Sequence, residues 1–377
     1  MRPAARLIVL GLLLALAAAG PPAAAEDAGP ASGGCDRAWF GPALDIETDT
    51  PSAYAGRLGA TPSLYTFPVD YPLTAEGVAQ LRVFAADAAT QGAVLVVQVE
   101  PTVPLGRLTV DDADELAAVL ADLHDRLDTQ VLVRFAPEMN GSWRTWGQQP
   151  DSFRSAFRRV ARVVHASATP AAMVWSPVYG SGYPFGRAQG TDSEIDLSRS
   201  RETAPLDTDG DGRLGPGDDP YGPYYPGDDA VDWVGLFLYR FGQSQGVRRN
   251  LLPPPDEVAR RLADRWGYPG AGPGAFYDRF AEGHAKPLLL ETAALYNPAV
   301  GGARELALKQ RWWTEVLDAL PGHPWICAIS WLELDRLEPE VADQPVAWQA
   351  ARTPALAAAL LADLRSGRVA LGPVTAV

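Results

Sequence analysis

Eight apolar segments recur along the chain, and stretches with helical periodicity lie between them. The segments, rich in Val, Leu and Ile, lie at residues 38–46, 63–71, 93–101, 131–138, 171–178, 231–239, 286–293 and 325–334. Continuous apolar runs are typical of strands buried on both faces, and their alternation with amphipathic helices predicts a parallel sheet covered by helices. Eight such units favour an α/β fold of the (β/α)8 TIM barrel type over an open doubly wound sheet.

The N-terminal segment has the layout of a secretory signal peptide. Two arginines precede an apolar run at residues 7–19, which is short for a membrane span, and small residues follow at 23–25. We expect cleavage near Ala25 and export to the medium or the periplasm. A lead-in over 26–37 and a single catalytic domain over 38–377 would remain. An uncleaved N-terminal anchor is the alternative.

The charge balance argues against two classes of partner. The chain of 377 residues has a formal net charge of −14, so nucleic acid and anionic membranes are poor partners. We expect a monomer that does not associate with a membrane after signal cleavage. The tail over 351–377 predicts a final helix that closes the barrel, followed by a frayed end.

The only two cysteines, Cys35 and Cys327, belong to a chain predicted to reach an oxidising compartment. Cys35 precedes the first predicted strand and Cys327 lies in the last. These strands are neighbours if the sheet closes on itself. The sequence therefore leaves two alternatives: one disulfide, or two free thiols.

A long connection, at about residues 180–230, follows the fifth predicted strand and is dense in Gly, Pro and Asp. Connections of this length usually carry function or an organising element of their own. Here the stretch "DTDGDGRLGPGD" has the spacing of a calcium-binding loop, with Gly212 at the sharp turn. We therefore predict a structural Ca²⁺ ion; a solvated acidic turn is the alternative. Its predicted ligands are Asp207, Asp209, Asp211, the carbonyl of Arg213, and Asp218.

Acidic and aromatic residues cluster at the C-terminal ends of the predicted strands, where barrel enzymes place their active sites. Glu138 ends the fourth segment and Glu291 lies near the end of the seventh, on opposite sides of the predicted barrel. Enzymes that hydrolyse a glycosidic bond typically use two such carboxylates. One protonates the departing oxygen and the other attacks the anomeric carbon, at a separation of about 5–5.5 Å in retaining enzymes. Tyr239 and Arg134 are candidate hydrogen-bond donors that would keep the nucleophile ionised.

Further residues near the strand ends are candidates for substrate binding. Aromatic rings pack against the apolar faces of sugars, and Asn140 can supply a polar contact. Placement of each tryptophan in the core is the alternative. The candidate aromatic residues are Trp143, Trp146, Trp175 and Trp331. No histidine ends a predicted strand, which argues against a zinc centre or a Ser-His-Asp arrangement.

Three segments resemble glycoside hydrolase family 26, the family of endo-β-1,4-mannanases and some β-1,3:1,4-glucanases. "PEMNGSWRTWG" resembles its acid/base segment after strand four, "VDWVGLFLYRFG" its strand six, and "KPLLLETA" its strand seven. The resemblance implies Glu138 as acid/base, Glu291 as nucleophile and Tyr239 as the hydrogen-bond partner of the nucleophile. It also implies that Trp143 and Trp331 stack on substrate.

The chain departs from the family pattern at three places. Pro137 stands where the family usually has His, Phe237 where it usually has Asp, and Thr292-Ala293 where it usually has Phe-Gly or a similar pair. The resemblance predicts a secreted, retaining, endo-acting β-glycoside hydrolase that cleaves β-mannan or a related β-glycan. A β-1,3/1,4-glucanase, a xylanase, an exopolysaccharide hydrolase and a non-catalytic carbohydrate-binding barrel are the alternatives.

Overall fold

The computed structural model describes most of the chain beyond the N-terminal segment. The described residues are 34–167, 170–180, 204–212, 214–215, 217–242, 248–264, 274–338 and 344–374. The predicted signal peptide and Arg213 of the predicted calcium loop lie outside these ranges. The predicted lead-in is described from residue 34 onward.

Eight parallel strands form a closed barrel, which confirms the predicted (β/α)8 TIM barrel. Each strand pairs with the next, and β1 and β8 close the sheet over a register that runs from Trp39 with Ala328 to Leu44 with Glu333. The strands are β1 (Ala38–Leu44), β2 (Leu64–Tyr71), β3 (Val94–Pro101), β4 (Val131–Phe135), β5 (Ala171–Trp175), β6 (Trp233–Arg240), β7 (Leu288–Ala294) and β8 (Ile326–Glu333).

Helices cover the outside of the barrel and begin where the sequence offers capping side chains. The hydroxyl of Thr74 accepts from the backbone N–H of Gly77, and Thr109 forms a capping box with Asp112. The α-helices are α1 (Pro51–Leu58), α2 (Ala75–Ala89), α3 (Val110–Leu127), α4 (Pro150–Ala166), α5 (Glu257–Leu262), α6 (Glu305–Ala319) and α7 (Pro354–Leu364). None of the described helices is both long and apolar enough to cross a membrane.

Two features of the C-terminal part differ from the prediction. A hairpin of β9 (Asp335–Glu338) and β10 (Gln344–Ala347) follows β8 directly. The tail after α7 is not frayed over its described part, because β11 (Val369–Ala370) pairs in parallel with the start of β1. The N–H of Gly372 also donates to the carbonyl of Thr61. The tail therefore completes the N-terminal end of the barrel.

Alternate residues of each strand fill the barrel interior, as the two-residue period of a strand requires. A separate apolar cluster forms this interior: Leu64, Val94, Val96, Leu132, Val174, Leu289 and Ala328. Arg134 and Glu291 lie two residues beyond Leu132 and Leu289 on their strands. The same alternation therefore directs both charged side chains inward, one layer closer to the C-terminal mouth of the barrel.

A disulfide joins Cys35 to Cys327, with Cα atoms 5.5 Å apart. The bond ties the segment before β1 to β8, the strand that closes the barrel. It spans 292 positions of sequence and therefore restricts a large part of the unfolded chain.

Loss of this disulfide is expected to destabilise the fold without touching the barrel mouth. The double variant Cys35→Ala/Cys327→Ala should lower the free energy of unfolding by about 2–5 kcal/mol. Denaturant unfolding of the variant and the parent, each with and without reductant, measures this. The reductant should weaken only the parent; equal stability of the two proteins without reductant would contradict the prediction.

Candidate active site

Glu138 lies in a loop just beyond β4, in an unusual backbone conformation. The strand ends at Phe135, and both Ala136 and Glu138 have positive φ angles, of 45° and 55°. Non-glycine residues rarely adopt this region and keep it only where neighbouring contacts hold it. The N–H of Glu138 donates to the carbonyl of Ser176, and the Glu138 carbonyl accepts from Gly141. The loop thus fixes Glu138 against the end of β5.

The two carboxylate oxygens of Glu138 have different surroundings. Oε2 accepts from Nε1 of Trp143 at 3.3 Å and from Nε of Arg144 at 2.8 Å, and the Arg144 NH2 group lies at 2.6 Å. Both side-chain donors that bind Glu138 among the described residues therefore contact Oε2 and not Oε1. One oxygen is therefore held in place, and the other is left for a proton or a substrate atom.

Glu291 on β7 is buried, with 3% of its surface exposed, and both of its oxygens are occupied. Oε1 accepts from the hydroxyl of Tyr239, and Oε2 accepts from NH1 of Arg134. The two donors therefore hold both oxygens of Glu291 in place at the barrel mouth.

A continuous set of polar contacts, here called the mouth network, joins the two glutamates. Arg134 also donates to Oε1 of Gln98 at 3.0 Å, and Gln98 donates to Oε1 of Glu100 at 2.7 Å. NH1 of Arg144 lies 3.7 Å from the same Glu100 oxygen, and Arg144 in turn holds Glu138. The network shows that β3, β4 and β7 bring Glu138 and Glu291 to one site.

Phe237, which replaces the Asp usual in the resembled family, lies beneath the network. Its strand register pairs it with Glu291, and the Arg134 guanidinium carbon is 4.7 Å from its ring centroid. The ring can stabilise the buried cation through its π face. Thr292 instead faces outward, where its hydroxyl donates to the Leu238 carbonyl and accepts from Trp312. The difference from the family pattern at Thr292 therefore affects packing outside the barrel and not the mouth.

Tyr239 is held in its protonated form. Burial raises the pKa of its hydroxyl well above the usual value, and the negative charges of Glu291 and Glu138 raise it further. The influence of both carboxylates on one phenol is a second sign that they converge. Because the phenol keeps its proton, it remains a donor to Glu291 across the neutral pH range.

The variant Tyr239→Phe should lose this donor while keeping the ring. Hydrogen bonds to charged groups contribute about 1.5–3 kcal/mol, so kcat/KM for a cleaved polysaccharide should fall about 10- to 150-fold. Steady-state kinetics measures the change, and circular dichroism checks the fold. Activity equal to that of the parent would show that the phenol does not assist Glu291.

The predicted binding residues next to Glu138 have different roles in the structure. Trp143 is 52% exposed and presents its ring beside Glu138, as a sugar platform requires. Trp146 is buried, and its indole N–H donates to the carbonyl of Pro137 at 2.8 Å. Asn140 is fully buried, and its amide forms two hydrogen bonds with the backbone of Val178. Trp146 and Asn140 therefore position the loop, and their predicted contact with substrate is corrected.

Trp175 and Trp331 lie outside the barrel interior, which corrects their prediction as substrate platforms. Trp175 is fully buried and packs against Phe276 and Phe280 in the outer layer. Trp331 is also buried, packs edge-on against Trp313 of α6, and donates to the Trp348 carbonyl. Both are core residues, which was the alternative prediction for each tryptophan.

Two arginines of the site are absent from the sequence-based candidates. Arg144 follows Trp143 within the quoted motif, and its position one residue after an exposed aromatic was the available signal. Burial lowers its pKa, but the charges of Glu138 and Glu100 outweigh this effect and raise it above the usual value. Arg336 is on β9, in a hairpin that is not among the predicted strands. It pairs with Glu338 and lies within electrostatic reach of Glu138.

The predicted metal loop is partly assembled. Asp207, Asp209 and Asp211 each offer a carboxylate oxygen, and these oxygens lie within 4.8 Å of one another. Asp218 does not join this group, because its oxygens accept from backbone N–H groups, including those of Thr208 and Gly215. Three of the predicted ligands are therefore brought together, and Asp218 organises the loop around them.

Solved structures of mannanases share the fold of this chain. A GH26 β-mannanase from Bacteroides ovatus aligns with a TM-score of 0.54 and 14% identity over 89% of this chain and 90% of that one. The catalytic domain of a GH26 endo-β-1,4-mannanase from Bacillus sp. JAMB-750 aligns with a TM-score of 0.54 and 16% identity, over 89% of this chain and 87% of that one. A modular endo-β-1,4-mannanase from Cellulomonas fimi aligns with a TM-score of 0.51 and 17% identity, over 90% of this chain and 73% of that one.

No protein-family model matches the chain, and no curated protein matches it by sequence. The structural similarity defines the fold class: a (β/α)8 barrel like that of the GH26 mannanases. This agrees with the resemblance found in the strand-four, strand-six and strand-seven segments.

Proposed function

We propose that this protein is a retaining glycoside hydrolase that cleaves a β-linked polysaccharide. The observation that carries the proposal is the unequal pair of glutamates in one polar network. Glu291 has both oxygens engaged by donors, whereas both side-chain donors that bind Glu138 among the described residues contact the same oxygen, Oε2. Retaining hydrolysis requires this division between an ionised nucleophile and a group that exchanges a proton.

The proposed reaction has two steps. In the first, the Glu291 carboxylate attacks the anomeric carbon, the glycosidic C–O bond breaks, and Glu138 gives its proton to the departing oxygen. In the second, Glu138 removes a proton from water, and the resulting hydroxide equivalent attacks the anomeric carbon and releases Glu291. Tyr239 and Arg134 hold Glu291 in place throughout, and Trp143 offers its exposed face to a sugar ring.

A panel of β-glycans tests the proposal. The panel contains β-1,4-mannan, mixed-linkage β-glucan, xylan and acidic exopolysaccharides, and new reducing ends are measured with the parent and Glu138→Gln. We expect release from at least one polymer by the parent and strong loss in the variant. Activity that is insensitive to Glu138, or release from none of the polymers, would contradict the proposal.

The binding-protein alternative makes a different prediction for the same proteins. A non-catalytic barrel would bind sugar and release no reducing ends. The buried pair of Arg134 and Glu291 costs several kcal/mol per ion to desolvate, and Tyr239 adds a phenol donor to the same carboxylate, an arrangement that fits a reacting group. The cost is justified where the ionised group reacts.

We further propose that the protein is exported and acts as a monomer on extracellular polysaccharide. The motif at residues 1–25 supports export. Fractionation of the native host, with mass spectrometry of the mature N-terminus, tests the cleavage near Ala25. An intact N-terminus on the cell-associated protein would support the anchor instead.

We also propose that Asp207, Asp209 and Asp211 hold a structural Ca²⁺ ion. Oδ1 of Asp207 is buried without a hydrogen-bond partner among the described residues, which fits a metal ligand. Titration with Ca²⁺ alone should give saturable binding, and calcium at about 100 times its Kd should stabilise the fold by about 2.7 kcal/mol. Asp207→Asn should weaken binding. Absence of binding together with an unchanged melting temperature in chelator would contradict the ion.

A further inference from the structure

Arg144 contacts the carboxylate that the proposed reaction requires as an acid. Two of its nitrogens lie 2.6 and 2.8 Å from Oε2 of Glu138. A general acid gives its proton to the leaving oxygen, and here the guanidinium engages one of the two oxygens of that acid. The contact therefore occupies part of the group that acts in the first step.

The position of Arg144 allows it to serve a second anion. About a quarter of its side chain is exposed, and it follows Trp143, whose ring faces solvent beside Glu138. NH1 lies 3.7 Å from Glu100, which is beyond hydrogen-bond distance, so this end of the guanidinium retains donor capacity. A sugar stacked on Trp143 would bring its substituents next to this group.

The charged groups at the mouth have a small negative excess. Three arginines and four glutamates there have a net charge of one negative when all are ionised, and Asp70, in register with Glu100 at the end of β2, adds one more negative charge. The seven residues of the first set are Arg134, Arg144, Arg336, Glu100, Glu138, Glu291 and Glu338. Protonation of Glu138 removes one negative charge and leaves Arg144 without its closest partner. A substrate carboxylate would restore both the pairing and the charge.

We propose that Arg144 selects a β-linked polysaccharide that has a carboxylate on a sugar beside the scissile bond, that is, a uronic-acid unit. The substrate carboxylate takes the Arg144 guanidinium from Glu138, so that Glu138 can hold the proton it gives to the leaving oxygen. This inference rests on the proposed hydrolase function and narrows its substrate class. It separates this chain from enzymes that act on neutral glycans.

Matched oligosaccharides test the selection without turnover. Tetramers of β-1,4-mannuronate and β-1,4-mannose differ only in the carboxylate at C6, and both are titrated calorimetrically into Glu291→Gln, whose amide oxygen can still accept from Arg134. We expect mannuronate to bind about 10- to 100-fold more tightly, as a charge-assisted hydrogen bond allows. The added change Arg144→Gln should abolish the preference, and Arg144→Lys should keep part of it.

The control is Arg126→Gln in the same background, because Arg126 is an exposed arginine on α3 that pairs with Asp122 away from the mouth. It should leave the preference unchanged. Equal or weaker binding of mannuronate, a preference that survives Arg144→Gln, or binding of neither tetramer would overturn the inference. Hydrolysis of a neutral β-glycan that depends on Glu138 would then still support the hydrolase function, so the two proposals fail separately.

Discussion

Replacing Glu291 by Gln is expected to reduce kcat on the cleaved polysaccharide on the order of 10⁴- to 10⁶-fold, because the amide cannot form the glycosyl-enzyme ester. The amide keeps the shape of the side chain and can still accept from Tyr239. The measurement is single-turnover hydrolysis at high enzyme concentration, which detects very slow rates. Residual activity within tenfold of the parent would rule out Glu291 as the nucleophile.

The same substitution should also affect stability, so activity must be compared per folded molecule. Glu291 is the ion-pair partner of buried Arg134, and removal of one partner of a buried pair costs about 3–5 kcal/mol. Thermal unfolding separates this loss from the chemical one. Glu76→Gln, an exposed glutamate in the first turn of α2, is the matched control and should change neither property.

Replacing Glu138 by Gln should give a loss that depends on the leaving group. Proton transfer by a positioned side chain contributes about 10²- to 10⁴-fold, so hydrolysis of a polysaccharide should fall by this factor. A 2,4-dinitrophenyl glycoside needs little protonation when it departs, so its first step should be nearly unaffected. The second step still needs a base, and we therefore expect a burst of dinitrophenol followed by slow turnover.

Pre-steady-state absorbance measures the burst, and the two substrates act as controls for each other. An equal loss on the polysaccharide and on the activated glycoside would show that Glu138 binds or positions the substrate and does not transfer a proton. The burst amplitude should equal the concentration of folded enzyme, which also reports correct folding of the variant.

The strand ends could be predicted from sequence because the barrel itself determines them. Each apolar run ends where its strand leaves the interior, so Glu138 and Glu291 were identifiable as mouth residues without coordinates. Tyr239 could be assigned in the same way, since it follows Phe237 at the strand period. In the structure Tyr239 donates to Glu291 and Trp143 donates to Glu138, and the catalytic roles of the two glutamates stay predictions.

The direction of individual side chains was less predictable, since a shift of one residue moves a strand residue to the opposite face. Trp175 follows Val174, which faces the interior, and Trp331 follows Ser330, whose hydroxyl contacts Thr66 across the barrel. Both tryptophans consequently pack outward. Proximity to a strand end was not sufficient evidence for a sugar platform.

Two arginines that contact the site, Arg144 and Arg336, are not among the residues predicted from sequence. Arg144 reaches Glu138 because the loop after β4 folds back within six residues. Arg336 depends on the β9–β10 hairpin, a short antiparallel unit that lacks the length and apolar content of the barrel strands. The local sequence pattern contains little information on such contacts, because they depend on tertiary packing.

The most direct test of the account is the anomeric configuration of the azide products formed by two variants. Glu138→Ala and Glu291→Ala are each incubated with azide and the dinitrophenyl β-glycoside of the oligosaccharide that the parent cleaves, and the products are identified by NMR. If the two carboxylates act from opposite faces of one linkage, azide in the first variant attacks the glycosyl-enzyme in place of water, displaces Glu291 and gives the β-azide. It replaces the nucleophile in the second and gives the α-azide. The same anomer from both variants, or rescue of neither, would contradict the account.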